Sequence, residues 1–194
     1  MKSITLALAE DKFSLWPKKY TALAAIGIAT GCRISEMLHL KRVDILTRQG
    51  KFRKGIKFPQ LKKKRQAFRQ IEIPKELQEY ILELLNEEAQ KGYERPDDYV
   101  FRGQMGKPLS RYTAYRFFRR ELGPKHGTHW MRKTFSQLLY KHYLKKFRGH
   151  QIHAVELVRE ALGHVRIDTT IRYLGLDDNL LSEAQSQIFK GFGK

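Results

Sequence analysis

The sequence contains a single cysteine, Cys32, and no long hydrophobic run. One cysteine cannot form an internal disulfide or a cysteine-rich zinc site, which excludes the disulfide-rich secreted classes and favours a reducing compartment. The longest apolar run, from Thr21 to Thr30, is shorter than the ~18 residues that a membrane span requires. The N-terminus shows no basic segment followed by an apolar stretch and a small-residue cleavage site. We therefore expect a cytoplasmic protein with no membrane partner.

Acidic residues are also scarce relative to basic ones. The chain has 38 Lys+Arg and 20 Asp+Glu, which gives a net charge of +18 with neutral histidines. Its 41% hydrophobic and 11% aromatic residues are too many for a disordered basic tail, which would lack the apolar surface needed to fold. A length of 194 residues fits one domain with its own core, so we expect a single domain over residues 1–194.

The positive charge is concentrated in two basic blocks, residues 41–70 and residues 107–148. Each block carries 12 Lys+Arg and one acidic residue, whereas residues 71–100 carry nine acidic residues and three basic ones. Segregated positive charge builds a field that attracts phosphate backbones, while charge that only serves solubility would be mixed. A nucleic acid is therefore the expected partner. A membrane surface is the weaker alternative, because it would favour one basic amphipathic helix.

Hydrophobic periodicity predicts a mainly α fold with one small antiparallel β-sheet, an α+β fold class. Apolar residues from Tyr20 to Ile28 predict a buried helix that ends near Gly31, and a short helix is predicted to begin at Arg33 or Ile34. Alternating apolar residues in two runs between Val43 and Ile73 predict two antiparallel strands with a lysine-rich tip. Further helices are predicted after Pro74, Ser110 and Thr128, and over residues 152–162, 168–173 and 178–189.

Three short segments carry residue types suited to phosphoryl transfer. They are Thr30-Gly31-Cys32-Arg33-Ile34-Ser35-Glu36, Thr128-His129-Trp130-Met131-Arg132, and Leu162-Gly163-His164 followed nine residues later by Tyr173. His129 and Arg132 are three residues apart in the predicted first turn of a helix, so they share a face, and the helix N-terminus offers N–H groups to an anion. Arg33 and Arg132 can bind the non-bridging oxygens of a phosphodiester through fork-like donors.

In order and spacing, these segments resemble the catalytic domain of tyrosine recombinases, the phage integrase family. The family's Thr-Gly-x-Arg-x-Ser-Glu, His-x-x-Arg and Leu-Gly-His motifs match residues 30–36, 129–132 and 162–164, and its nucleophile matches Tyr173. Singly, each residue has an ordinary structural interpretation, since Tyr173 is one of nine tyrosines and Glu36 could be a helix-surface acid. The resemblance covers nearly the whole chain and implies the fold of that catalytic domain.

The resemblance also implies a reaction, in which Tyr173 attacks a DNA phosphodiester and leaves a 3′-phosphotyrosyl link and a free 5′-hydroxyl. Tyrosine has an unperturbed pKa of roughly 10, so it needs assistance at neutral pH. A histidine can take its proton or hold a phosphoryl oxygen, and a lysine can protonate the leaving oxygen. The implied roles place Arg33, Arg132, His129 and His164 around the phosphate. No metal or other cofactor is implied, because the covalent link stores the bond energy.

The general acid is implied to be a lysine at the hairpin tip, where three lysines are consecutive. Lys64 is favoured, with Lys63 and then Lys62 as alternatives, and Glu36 is expected to support the site. The charge distribution also predicts contacts to the DNA backbone. The residues expected to make them are Lys62, Lys63, Arg65, Arg111, Arg116, Arg119, Arg120 and Lys133.

The predicted function is that of a site-specific DNA recombinase or integrase encoded by a bacterium, phage, plasmid or other mobile element. Its expected partners are double-stranded DNA, further copies of the chain in a tetramer on DNA, and accessory DNA-bending proteins. Only about thirty residues precede Arg33, so we expect no separate N-terminal core-binding domain. The alternatives are a type IB topoisomerase-like enzyme that relaxes DNA and a DNA-binding regulator that kept the fold without the reaction.

Overall fold

The computed structural model describes residues 13–59 and 68–176 of the chain. These fall into two compact units: unit 1 belongs to Met1–Thr134 and unit 2 to Phe135–Lys194. Unit 1 contains the small sheet and most of the helices, and unit 2 is helical throughout its described part. The predicted α+β fold, mainly helical with one small antiparallel sheet, is confirmed.

Unit 1 begins with a buried helix and continues through the sheet to a basic helix. Its elements are α1 (Lys18–Thr30), α2 (Ile34–Leu38), α3 (Arg42–Ile45), β1 (Gly55–Pro59), β2 (Phe68–Glu72), α4 (Lys75–Gln90), a 3₁₀ turn (Gln104–Gly106), α5 (Arg111–Leu122) and the start of α6 (Trp130–Lys146). Pro74 immediately precedes α4, as predicted, and Pro17 immediately precedes α1. Ser110 caps α5, because its Oγ accepts a 3.0 Å hydrogen bond from the Thr113 N–H.

The sheet of the described residues consists of β1 and β2, paired antiparallel from Gly55 opposite Glu72 to Pro59 opposite Phe68. The side chains of Ile56 and Phe58 are fully buried, which agrees with the predicted alternation. The tip between the strands lies outside the described residues. Lys62, Lys63, Lys64 and Arg65 therefore remain predictions from the sequence.

One large hydrophobic core holds unit 1 together. Helix α1 contributes Leu23 and Ile26, which are both fully buried, and full burial of such a side chain stabilises the fold by ~1.5–3 kcal/mol. The ring of Tyr20 stacks on Phe117 of α5 at 3.6 Å between centroids. Helix α1 ends at Gly31, whose φ of 62° is the left-handed conformation that glycine adopts without strain.

Unit 2 is built from the rest of α6, α7 (Gln151–Leu162) and α8 (Ile167–Leu174). Its buried core is small and consists of Tyr140, Ala154, Val155, Val158, Leu162 and Leu174. The helices predicted over residues 152–162 and 168–173 are confirmed as α7 and α8, to within one residue at each end. Arg148 and Gly149 form the left-handed turn between α6 and α7, with φ values of 50° and 90°. The helix predicted over residues 178–189 lies outside the described residues.

The start of α6 differs from the prediction. The helix begins at Trp130, and His129 stands just before it, with the His129 carbonyl accepting the 3.0 Å hydrogen bond from the Lys133 N–H. His129 is thus at the N-cap position rather than in the first turn, because this carbonyl already accepts an intrahelical bond. Within residues 13–59 and 68–176, each helix is too short or too polar to cross a membrane.

Candidate functional site

Arg33 is held by a buried carboxylate at the start of α2. Its backbone N–H donates to Glu36 Oε2 at 2.8 Å, and its Nη1 donates to Glu36 Oε1 at 2.9 Å. Glu36 is only 4% exposed, which rules out the alternative of a helix-surface acid. A buried carboxylate needs such charge-assisted donors, since without them its desolvation would be costly. Glu36 therefore both caps α2 and orients the half-buried guanidinium of Arg33.

Arg132 is bound to the loop that carries Arg33. It is 4% exposed, and its Nη1 donates a short hydrogen bond to the carbonyl of Gly31, 101 residues earlier in the chain. The loop is itself ordered by Thr30, whose Oγ1 donates to the Ile26 carbonyl at 2.7 Å and accepts from the Cys32 N–H at 3.2 Å. The two arginines that the sequence predicts as a pair are thus tied to one short segment in unit 1.

A close approach of α1 and α6 allows that hydrogen bond. A Cβ atom at Gly27 would lie 2.6 Å from Sδ and 2.9 Å from Cβ of Met131, which is closer than real Cβ contacts. Only glycine fits at position 27, and Met131, which it contacts, is followed in the chain by Arg132. The sequence analysis missed Gly27, although an isolated glycine inside an apolar helical pattern is a signal for close packing.

His129 is exposed at the N-terminal end of α6, beside the buried Trp130. Backbone N–H groups in the first turn of a helix have no partner within the helix and favour an anion. His129 can therefore contact a bound phosphate from the solvent side, whereas Arg132 reaches back to the Gly31 carbonyl.

His164 and Tyr173 lie side by side in unit 2. Gly163 ends α7 in the left-handed conformation with φ of 64°, and the His164 N–H donates to the Arg159 carbonyl at 3.0 Å. The His164 side chain turns to α8, where its Nδ1 lies 3.0 Å from Oγ1 of Thr170. The rings of His164 and Tyr173 meet edge to face, with centroids 5.7 Å apart and planes at 80°. No role was predicted for Thr170 from the sequence.

Tyr173 differs in its environment from Tyr140, the tyrosine in the core of unit 2. Burial raises the pKa of Tyr140 above its ordinary value, which disfavours the phenolate needed for attack. Tyr173 is half-buried and in contact with a histidine. Of these two hydroxyls, Tyr173 is the better placed for nucleophilic chemistry.

The basic residues predicted to contact DNA are exposed wherever the structure describes them. On α5, the guanidiniums of Arg116 and Arg119 lie 5.8 Å and 5.4 Å from the rings of Tyr112 and Tyr115. The exposed basic residues of this group are Arg111, Arg116, Arg119, Arg120 and Lys133. Among the described residues, no group of three or more His, Cys, Asp or Glu could hold a metal ion.

Comparison with known proteins gives consistent matches over most of the chain. Residues 2–179 match the profile described as the phage integrase family. Tyrosine recombinase XerH of Helicobacter pylori is 29% identical over 170 residues, which are 84% of this chain and 43% of that protein. Tyrosine recombinase XerC of Treponema denticola is 33% identical over 177 residues, 82% of this chain and 52% of that protein.

A solved structure extends this similarity to three dimensions. The XerH site-specific recombinase bound to a palindromic difH substrate, in a post-cleavage complex, superimposes with a TM-score of 0.69 and 25% identity. The match covers 96% of this chain and 52% of that one. The chain thus spans about half the length of the relatives that it matches.

Proposed function

The chain belongs to the phage integrase family, and from that premise we propose that it is a site-specific DNA recombinase that acts through a 3′-phosphotyrosyl intermediate. The observation that carries the proposal is the attachment of Arg33 and Arg132 to one segment, Gly31–Glu36. Two guanidiniums fixed by buried partners suit the non-bridging oxygens of a phosphodiester, whose negative charge grows during transfer. We further propose that residues 1–194 act together as one catalytic domain.

The proposed reaction exchanges one phosphodiester for another. The phenolic oxygen of Tyr173 loses its proton to a histidine that acts as base and attacks the phosphorus. The bond from phosphorus to the 5′-oxygen breaks, and the DNA 3′-phosphate stays on the tyrosine. The departing 5′-oxygen takes a proton from a hairpin-tip lysine, for which Lys64 is preferred over Lys63 and Lys62. The reverse attack by a 5′-hydroxyl rejoins a strand. Because bond energy is conserved, the cycle needs no nucleotide, metal or other cofactor.

The proposed partner is double-stranded DNA, held largely through its phosphates. Support comes from the net charge of +18 and from the exposed arginines on α5. Such contacts release counterions, so affinity should fall steeply as the salt concentration rises. In a plot of log affinity against log salt concentration, the slope should become less steep by about one for each phosphate contact that is lost. Lys62, Lys63 and Arg65 belong to the same proposed surface. We also propose assembly into a tetramer on DNA with accessory DNA-bending proteins, in the cytoplasm.

The test is covalent trapping on DNA. Wild-type protein is incubated with a pool of nicked suicide duplexes that carry a randomised core, so that cleavage releases a short fragment and rejoining is blocked. We expect a protein–DNA adduct that survives denaturing electrophoresis and is lost in Tyr173→Phe.

The matched control is Tyr143→Phe, which removes the hydroxyl of another half-buried tyrosine of unit 2 and should leave the adduct unchanged. If the wild type binds DNA but forms no adduct, the result would favour the alternative of a DNA-binding regulator that kept the fold without the reaction. To separate a recombinase from a DNA-relaxing enzyme, trapped sequences are cloned in pairs on a plasmid, where only a recombinase exchanges strands between the two copies.

A further inference from the structure

Thr170 of α8 is completely buried, and its hydroxyl makes a 3.0 Å hydrogen bond with Nδ1 of His164. Within the part of the chain that the structure describes, this is the hydroxyl's one hydrogen bond. We propose that Thr170 is a positioning residue that holds neutral His164 with its proton on Nε2. The consequence for catalysis rests on the proposed function, whereas the protonated position of the ring can be measured without it.

The direction of this hydrogen bond follows from the number of donors and acceptors. A neutral imidazole has one N–H donor and one acceptor nitrogen, and a threonine hydroxyl has one donor hydrogen. If Nδ1 donated to Oγ1, the hydroxyl hydrogen of Thr170 would be buried without an acceptor, which is costly. If the hydroxyl donates to Nδ1, its hydrogen is satisfied, and the imidazole proton is then on Nε2.

A competing acceptor for the hydroxyl would be a backbone carbonyl. Threonines inside helices commonly donate to the carbonyl four residues earlier, which here is that of Arg166. In the described residues the hydroxyl makes its bond to His164 instead.

Thr170 connects the histidine to the helix that carries the nucleophile. Thr170 and Tyr173 are three residues apart on α8 and therefore share a face, and His164 meets Tyr173 edge to face at 5.7 Å. With its proton on Nε2, neutral His164 can donate a hydrogen bond to a phosphate oxygen, but Nε2 cannot accept the phenolic proton. The hydrogen bond thus assigns His164 to the phosphate and leaves the proton of Tyr173 to another acceptor.

The direct test is the side-chain ¹⁵N NMR spectrum of the histidines in the full chain without DNA, at a pH of about 8 where an ordinary histidine is neutral. His164→Gln identifies the His164 signals by their loss. In the wild type we expect an unprotonated Nδ1 and a protonated Nε2 for His164. A protonated Nδ1 would overturn the inference, whatever the variants do.

The variants separate the hydroxyl from the shape of the side chain. Thr170→Val removes the hydroxyl at similar volume. We then expect neutral His164 to change from one tautomer, with the proton on Nε2, to a mixture of tautomers with the proton on Nδ1 or Nε2. Thr170→Ser keeps the hydroxyl and should retain the wild-type spectrum, as should Thr169→Val at the exposed neighbouring position. An unchanged spectrum in folded Thr170→Val would contradict the proposal. If that variant does not fold, the wild-type and Thr170→Ser spectra still decide it.

The catalytic consequence is measured as the rate of adduct formation on the suicide duplexes. We expect Thr170→Val to lower it about tenfold, by analogy with the loss of a hydrogen-bond partner that orients a metal-bound histidine, and Thr170→Ser to restore it. A wild type with the predicted spectrum but no adduct would refute the proposed function alone. A wild type that forms the adduct but carries its proton on Nδ1 would refute the role of Thr170 alone.

Discussion

The two units hold their candidate functional groups by different means. In unit 1, Arg33 and Arg132 are fixed by hydrogen bonds to a buried carboxylate and a backbone carbonyl beside a large core. In unit 2, the rings of His164 and Tyr173 are in contact and His164 shares a hydrogen bond with the Thr170 hydroxyl, beside a much smaller core. Charge-assisted bonds are roughly twice as strong as neutral ones. The hydrogen bonds described for the two arginines of unit 1 are therefore stronger than the one described for His164.

The largest expected effect comes from replacing Arg132 with lysine. Lysine keeps the charge but lacks the fork that can bind the Gly31 carbonyl and a phosphate together. We expect Arg132→Lys to slow adduct formation by ~10²–10³-fold, the cost of losing one oxyanion donor. The control is Arg42→Lys, because Arg42 also donates to a carbonyl in unit 1, that of Leu85 at 3.1 Å. Equal rates in the two variants would contradict the proposed role of Arg132.

The second prediction compares two acids in the same capping arrangement. Glu36 accepts from the Arg33 N–H and Asp44 from the Lys41 N–H, both at 2.8 Å. Each alanine variant should lose ~1 kcal/mol of unfolding free energy through the lost cap. Glu36→Ala should lose more, ~1.5–3 kcal/mol, because it also removes a buried bond to a charged group. Urea unfolding measures both values.

Only one of these two variants should also impair the reaction. Without Glu36 the Arg33 guanidinium loses its orientation, so Glu36→Ala should slow adduct formation at least tenfold, whereas Asp44→Ala should not. If both variants cleaved at the wild-type rate, the buried carboxylate would serve stability alone, and the preorganisation of unit 1 would have no catalytic consequence.

The third prediction tests the close contact of α1 with α6. Gly27→Ala places a methyl group against Met131, and such overpacking should cost ~1–3 kcal/mol of unfolding free energy. Met131→Ala removes the closest contact, that with Sδ, and keeps the one with Cβ at 2.9 Å, so it relieves part of the clash but leaves a cavity when present alone. The double variant should therefore lose less unfolding free energy than the two single variants lose in sum, by ~0.5–3 kcal/mol. Additive effects in urea unfolding would show that the two residues do not constrain each other.

The smallest expected effect concerns a second buried carboxylate of unit 1, Glu88. Burial alone would raise the pKa of Glu88, but hydrogen bonds from Arg102 and Lys91 outweigh burial and hold the pKa below its ordinary value. A lowered folded-state pKa stabilises the protein above the unfolded-state value of ~4.3, and that stabilisation is lost as the pH falls through the folded-state value.

Glu88→Gln should therefore be less stable than the wild type at pH ~7, with a difference that shrinks as the pH falls below ~4. Glu79→Gln, at an exposed position of the same helix, should show no such trend. Urea unfolding over this pH range measures both. If the difference in unfolding free energy between Glu88→Gln and the wild type stays constant over this range, the ion pairs of Glu88 contribute nothing to the pH dependence of stability.

Sequence reasoning located most elements because their signals are local. Pro17, Pro74 and Ser110 mark helix starts through backbone geometry and capping, which depend on a few neighbouring residues. The start of α6 was misplaced because Thr128 and His129 both precede it within hydrogen-bonding reach, and the sequence does not say which carbonyl accepts the first bond. Boundaries of this kind are set by tertiary packing as much as by local preference.

Within the site, sequence spacing identified the reactive residue types but not the contacts that fix them. The burial of Glu36, the bond from Arg132 to Gly31, and the contact of Gly27 with Met131 all depend on packing between helices. Thr170 is one of two consecutive threonines, and only the structure shows that Thr170 is buried against His164 while Thr169 is exposed. The three lysines of the hairpin tip stay undistinguished, since they lie outside the described residues.

The central claim is that Tyr173 becomes covalently linked to DNA, and the most direct measurement is to find the modified residue. The trapped adduct is digested with protease and nuclease, and the nucleotide remnant is mapped by tandem mass spectrometry. The account predicts a 3′-phosphate remnant on Tyr173 and on no other tyrosine of the chain. A remnant on any other residue, or a wild type that cleaves DNA with no protein attached, would contradict it.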